Sequence, residues 1–207
     1  MSAPPKTVLV ADAAEAARIR EAVRGVDVAT LGDNRVIAAP QHAETLTRLL
    51  ADPAVSGPIY DLPWPLTCER IGCWIETCEA ERRAGEGVLA LTLDDAGEAA
   101  GYLKFTVWPE RSSAEVGGAV RADRQNSGNS AVGAARMFNW IFETFGVRLM
   151  GLTADTNNVR SIRMIDRAGF ARAGERDCIR PDGSARRSIY WEMDRDAWRR
   201  RRTDART

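Results

Sequence analysis

"GLTADTNNVRSIRMIDRAGF", residues 151–170, joins an apolar run to a helical pattern through two adjacent asparagines. The run "VRLMGLTAD" (147–155) reads as a buried strand, and "NNVRSIRMIDRAG" (157–169) reads as a helix closed by Gly169. Asparagine at a helix start accepts a backbone N–H and caps the first turn. A capped helix packing on a sheet accounts for Asn157. It does not account for the whole spacing of Asn157, Asn158, Ser161 and the Gly169–Phe170 pair.

A second strand-loop-helix junction lies upstream, in "RADRQNSGNSAVGAA" (121–135). Gly128 permits close backbone approach, and Ser130 and Ala131 keep the first helical turn free of bulk. Backbone N–H groups at such a start, with the helix dipole behind them, favour an anion. An Asn/Ser/Gly helix cap has the same composition, so both readings stand. The loop is neither Walker A nor a dinucleotide fingerprint, because it holds one glycine and no Gly-Lys-Ser/Thr.

The rest of the chain builds outward from these two junctions. "TVLVADAAEAARIREAVRG" (7–25) predicts a short strand and an amphipathic helix. "VDVATLGDNRVIAAP" (26–40) predicts one or two strands with Gly-Asp-Asn as a hairpin turn. "PQHAETLTRLLADPAVSG" (40–57) predicts a helix entered at Pro40 and closed by Pro53. A proline-stiffened loop, "DLPWPLT" (61–67), precedes a helix over 68–84 that Gly85 and Gly87 end. Three strands follow, in "GVLALTLDD", "AGYLKFTVWPE" and "SSAEVGGAVRAD", as an antiparallel meander. "NSAVGAARMFNWIFETFG" (129–146) is a strongly apolar helix. The C-terminal part is a hairpin around Pro181-Asp182-Gly183, then a charge run "RRRRTDART" (199–207) expected to be a solvated or frayed end. This order gives an α/β or α+β sheet with helices on its faces, and no linker marks a second domain.

Composition removes several classes of function. The chain has 207 residues, 44% hydrophobic and 28% charged, as in soluble globular proteins. Its formal net charge is zero, so no global field selects nucleic acid or an acidic membrane. The Arg-rich end lacks interleaved aromatics. Basic residues are almost all arginine, with Lys6 and Lys104 the only lysines, which we read as the mark of a GC-rich bacterial genome. No signal peptide and no membrane-length apolar stretch is evident, so a cytoplasmic protein is expected. Cys68, Cys73 and Cys78 are five apart and scatter around a helix, and no Cys-x-x-Cys pair accompanies them or Cys178. They are expected to be free thiols, with no metal site. His42, the only histidine, sits near the start of a surface helix without a nucleophile motif.

The quoted stretch resembles the signature of the GNAT family of acetyl-coenzyme A-dependent N-acetyltransferases: Asn-x-x-Ser/Ala, then a helix ending in Gly-Phe. Asn158, Ser161, Gly169 and Phe170 occupy those positions. The family's pyrophosphate loop, Gln/Arg-x-x-Gly-x-Gly/Ala, is matched by Gln125, Gly128 and Ser130. "AEVGG" (114–118), "LADPAV", "LPWPLT", "AGEGVLAL" and "GEAAGYLKF" resemble, in order, the RimJ/RimL-like branch that acts on protein N-termini, including those of ribosomal proteins. The resemblance covers residues 35–198 and leaves a strand-helix arm over 1–34 and the tail over 199–207 unexplained.

The resemblance implies a mixed, mostly antiparallel sheet with helices on both faces and a splayed strand pair for the acyl-coenzyme. It implies direct acetyl transfer to an amine, with acetyl-CoA as co-substrate and no metal. The pyrophosphate would rest on the backbone of Gln125, Asn126, Ser127, Gly128, Asn129 and Ser130. The pantetheine arm would pair with the strand carrying Val116, Gly118 and Val120, and Asn158 would hold its amide region. Gly117 and Gly118, suited to a bulge or a close approach, would offer oxyanion N–H groups. Glu115 is the base, or else an edge-strand charge or an arginine's structural partner. Many family members place an acidic tyrosine seven residues after the motif asparagine; here that residue is Ile165. Ser161 would then serve the departing thiolate, or else bond back to a helix carbonyl; Tyr190 is a more distant acid. Two departures touch the donor: Ser127 and Asn129 replace the loop's usual positive residue, and Ala131-Val132-Gly133 replaces a glutamate.

Two functions fit: acetyl transfer to a protein N-terminus or small amine, or an inactive GNAT-like fold that senses acyl-CoA or serves as an interaction module. Trp64, Trp108 and Trp191 line the acceptor groove, or else belong to the core. The N-terminal arm covers a sheet edge or mediates a homodimer. Neither nucleic acid nor a membrane is expected as a partner.

Overall fold

The structure is a computed structural model; it describes residues 4–32, 34–125, 130–180 and 183–204. Helix α1 (Ala13–Arg24) leads through a 3-10 turn to strand β1 (Arg35–Ile37). Helices α2 (Ala43–Leu50), α3 (Pro53–Ser56) and α4 (Cys68–Ala84) follow, then strands β2 (Gly87–Leu93), β3 (Ala99–Trp108) and β4 (Ser113–Val120). The chain continues through α5 (Ser130–Phe145), β5 (Leu149–Asp155), α6 (Val159–Ala168), β6 (Ala171–Ile179), β7 (Ala185–Asp194) and α7 (Arg195–Asp204).

Local chemistry sets the helix ends. Asp12 caps α1 by accepting the Glu15 N–H, and Thr67 caps α4 by accepting the Arg70 N–H. Gly85 ends α4 at φ 81°, and its N–H returns to the carbonyls of Glu81 and Arg82. A side chain there would be strained and would also strike the Arg20 backbone. Asp52 caps α3, so Pro53 opens a separate turn instead of merely closing the helix before it.

The seven described strands form one sheet in the order β1-β2-β3-β4-β5-β7-β6. Every neighbouring pair is antiparallel except β4 and β5. Alternation divides the sheet into two faces. One face packs Phe105, Ala114, Met150, Leu152 and Trp191 against α1, α5, α6 and α7. The other packs Leu89, Leu91 and Tyr102 against α2, α3 and α4. Ile19 and Val23 of α1 belong to the first of these cores, so this helix of the N-terminal arm is built into the domain.

Three expectations change. Thr7–Val10 is not a strand: Val8 and Val10 are 70% and 79% exposed, and side chains hold the backbone. Arg111 donates to the carbonyls of Pro5 and Thr7, and Arg148 to that of Val10. Gly32 and Asn34 do not close a local hairpin, because β1 pairs with the distant β2; Asp33 lies outside the described residues. The charge run is solvated at residues 199–201, as expected, but it is helical through Asp204 and not frayed there, and Trp198 just before it is 4% exposed; residues 205–207 lie outside the described residues. The β6–β7 hairpin forms as expected, with Pro181 and Asp182 outside the described residues.

Trp198 stands edge-on to Phe138, with ring centroids 6.0 Å apart, and also meets Phe142. Trp198→Ala should therefore cost about 3–5 kcal/mol in urea unfolding. A frayed end would give a change within about 0.5 kcal/mol.

Candidate active site

Strands β4 and β5 pair at only three positions: Ser113 with Leu149, Ala114 with Met150 and Glu115 with Gly151. Beyond them the strands part. β4 stays with β3 as far as Val120, and β5 stays with β7 as far as Asp155. The edge of β4 over residues 116–120 thus has no strand partner on the β5 side. An unpaired edge is a template for an extended chain. Val116 is half-buried, Gly117 and Gly118 are exposed, and Val120 is 48% exposed.

The two glycines have different reasons. The β3–β4 register runs through them unbroken, so of the two readings, a bulge or a close approach, the bulge is not made. A Cβ on Gly118 would stand 2.3 Å from the Tyr102 carbonyl oxygen, so this glycine permits close approach of β3. A Cβ on Gly117 would meet nothing within 4 Å. Gly117 leaves open the face on which Glu115, Thr153 and Tyr190 lie.

Glu115 sits where the strands separate, 7% exposed, with Thr153 Oγ1 donating to its Oε1 at 3.2 Å. Tyr190 lies opposite Thr153 on β7 and donates to Glu192 Oε1 at 2.8 Å. Burial, reinforced by the Glu192 carboxylate, raises the Tyr190 hydroxyl far above its usual range, so the phenol stays neutral. Burial acts the other way on Glu192, but hydrogen bonds from Thr7 and Tyr190 hold it below its usual value. The Lys6 N–H donates to Tyr190 Oη at 3.2 Å, which places the arm beside this row.

Past the gap, α6 begins. Its cap is Asn158, not Asn157: Asn158 Oδ1 accepts the Ser161 N–H at 3.1 Å. Asn157 donates its own N–H to Asp155 Oδ1. Ser161 is half-buried in the first turn, and its hydroxyl bonds no described residue; the expected alternative of a bond back to a helix carbonyl is not made. Thr47 in α2 shows what that bond looks like, donating to the Ala43 carbonyl at 2.7 Å. Ile165 is 3% exposed in the core, so nothing at that position supplies a proton.

Gln125 closes the end of β4. Its Nε2 donates to the Val120 carbonyl, and its Oε1 accepts from Arg160 Nη1, each at 2.8 Å. Arg160 was missed by the sequence reading, although it lies between Asn158 and Ser161. It brings a cation beside a loop whose own sequence lacks one. Asn126, Ser127, Gly128 and Asn129 lie outside the described residues, and α5 starts at Ser130.

The aromatic expectations fare unevenly. Trp191 is fully buried, on the core face opposite Glu115. Trp108 lies at the far end of β3, paired with Ser113. Trp64 is 44% exposed. An open groove of about 610 Å3 runs beside α4, lined by Pro63, Arg70, Cys73 and Trp74. Trp74 meets Tyr102 edge-on at 5.7 Å, and Tyr102 pairs with Ala119 on β4. Trp74, unremarked in the sequence, thus leads from the groove towards the open half of β4.

The model of the acetyltransferase (GNAT) domain family matches residues 35–171. The chain belongs to the GNAT acetyltransferase family. No curated protein sequence matches it. Among solved structures it is similar to the ribosomal-protein-S5-alanine acetyltransferase of Vibrio fischeri: TM-score 0.66, 13% identity, 79% of this chain and 93% of that one covered. It is similar to Mycobacterium smegmatis RimJ in complex with CoA-disulfide: TM-score 0.65, 19% identity, 83% and 88% covered. The microcin C7 self-immunity acetyltransferase MccE, in complex with acetyl-CoA and AMP, aligns with TM-score 0.65, 14% identity, 79% and 94% covered. At such identities the likeness is one of fold. The parting of β4 from β5 is the splayed strand pair that the resemblance to this family implied.

Gly117→Ala and Gly118→Ala should separate the two sides of β4. Gly118→Ala should destabilise by about 1–3 kcal/mol as β3 is forced away, whereas Gly117→Ala should unfold within about 1 kcal/mol of the native chain. Equal unfolding midpoints would contradict the close approach at Gly118.

Proposed function

We propose that this GNAT protein transfers the acetyl group of acetyl-CoA directly to a primary amine, that of a protein N-terminus or a small molecule. The observation that carries this reading is the gap between β4 and β5 with buried Glu115 at its closed end. The fit to the co-substrate rests on the same edge: the backbone over 116–119, which has no strand partner on the β5 side, matches the amides of an extended pantetheine arm. The CoA and acetyl-CoA complexes of RimJ and MccE support that fit. The S5-alanine acetyltransferase supports a ribosomal protein as one kind of acceptor.

Acetyl-CoA, when bound, supplies an activated thioester carbonyl. The chain's own residues would do the rest. The start of α5 and the loop before it would hold the pyrophosphate by N–H groups and dipole, with Arg160 adding charge. Val116, Gly118 and Val120 would lie along the arm, and Asn158 would hydrogen-bond it. Glu115 would take the amine proton, directly or through water. Backbone N–H groups near Gly117 and Gly118 would face the developing oxyanion. The Ser161 hydroxyl would serve the departing thiolate. Four free thiols and an acyl-coenzyme donor fit a bacterial cytoplasm.

Calorimetry with acetyl-CoA and a thiol-release assay on a panel of amines and N-terminal peptides test the reading together. Binding with turnover is expected. Glu115→Gln should lower kcat by about 10²–10⁴-fold with acetyl-CoA affinity little changed. Binding without turnover on any amine would instead favour an acyl-CoA sensor, and absence of binding would remove both readings.

A further inference from the structure

The β6–β7 hairpin carries arginines on both faces, and their surroundings differ. On the α6 side, Arg187 pairs with Glu175 at 2.7 Å and Asp177 at 3.3 Å, and Arg172 pairs with Asp166. On the side shared with Glu115 and Tyr190 lie Arg176 and Arg186. Neither has a carboxylate within 4.0 Å among the described residues. Arg186 is 6% exposed. Its Nε donates to Ser188 Oγ at 3.0 Å, its Nη1 donates to the Pro58 carbonyl at 2.6 Å, and the guanidinium stacks 4.5 Å from the Tyr60 ring centroid. Its Nη2 is buried with no hydrogen-bond partner. Arg176 is half-buried, lies 5.4 Å from the Tyr190 ring centroid and makes no hydrogen bond to a described residue.

Nearby carboxylates are committed elsewhere. Asp155, opposite Ser188, accepts the Asn157 N–H; Glu192 accepts from Thr7 and Tyr190; Glu115 accepts from Thr153. Lys6 adds a further cation, 5.5 Å from the Tyr190 ring centroid. A guanidinium cannot shed its proton to escape burial, so a buried one is costly until an anion meets it. Its fork suits a carboxylate, which it grips through two parallel bonds.

Position supplies the length. Tyr190 lies opposite Thr153, which holds Glu115. Arg176 lies opposite Ser188, and Arg186 is two residues further along β7. At the rise of a strand, these rows are roughly 7 Å and 13 Å from Tyr190. An extended peptide covers that distance in about two to four residues.

We propose that Arg176 and Arg186 form a carboxylate subsite of the acceptor groove, selecting peptides with an acidic side chain two to four residues after the amine that is acetylated. The proposal rests on the amine-acetyltransferase reading. Arg176 is the accessible half of the subsite. Arg186 is the buried half, and it also ties residues 58–60 to the sheet.

The test uses the full chain, saturating acetyl-CoA and hexapeptides that differ only by Glu or Gln at positions three and four. Thiol release gives kcat and KM. Calorimetry with the same peptides already N-acetylated gives binding without turnover. The Glu peptide should have kcat/KM at least tenfold above the Gln peptide, through KM, and bind at least tenfold tighter when acetylated. Arg176→Gln should bring the two peptides within twofold of each other. Arg186→Lys, which keeps the charge and loses the fork, should reduce the preference at least threefold. Tenfold tighter binding of the Glu peptide with no turnover would keep the subsite and remove the acetyltransferase reading. Turnover with no Glu preference would do the reverse. Variants that slow both peptides equally would make the two arginines structural pins and overturn the proposal.

Discussion

The pairing of β4 with β5 stops after three positions, and most of the molecule is arranged around that stop. Each strand can leave the other because a longer ladder holds it on the far side. β4 keeps eight register pairs with β3, and β5 keeps seven with β7. Gly118 tightens the first ladder by letting the β3 backbone come closer than any side chain would permit. The open edge therefore costs nothing in the fold's continuity. Because β4 and β5 run parallel, the chain leaves both strands at the open end. There α6 begins, with Asn158 accepting the Ser161 N–H and Arg160 bonded to Gln125, and a helix N-terminus with a cation beside it favours an anion.

The sequence disclosed what local chemistry decides. Caps and glycines placed α4, α6 and their ends, and alternation placed the meander β2–β4. The spacing of Asn158, Ser161 and the Gly169–Phe170 pair pointed to the donor half of the proposed site. It did not disclose that β7 inserts between β5 and β6, because that order rests on contacts between distant segments. Val8 and Val10 imitate a strand, yet arginine side chains fix that segment and no ladder forms. The charge run hid a helix because four arginines outweigh one tryptophan in composition, while one buried indole outweighs them in packing.

The proposed acceptor half was obscure for a related reason. Thr153, Tyr190, Arg176 and Arg186 share a face only through the β5–β7–β6 order, and they come from three separate segments. The chain's net charge of zero concealed a difference between faces. On one side of the hairpin each arginine has its carboxylate, and on the other two arginines do without. Charge balance over the whole chain carries no information about such local imbalance.

Asn158 shows how a structural role and the proposed binding role coexist in one side chain. Asp, Ser, Thr and Asn all cap helices well, so capping alone does not select asparagine. Having accepted the Ser161 N–H through Oδ1, asparagine still carries two amide protons, and aspartate would carry none. Aspartate would also set a negative charge beside the gap proposed for a polyanionic coenzyme. Serine or threonine would cap through a short hydroxyl that reaches little beyond its own backbone. Only asparagine both closes the helix and keeps an N–H donor, held in a fixed direction by the cap, for a carbonyl lying along β4. Capping is thus the condition that orients the donor, and this is why a residue that looks ordinary at a helix start can belong to the proposed acyl-coenzyme site.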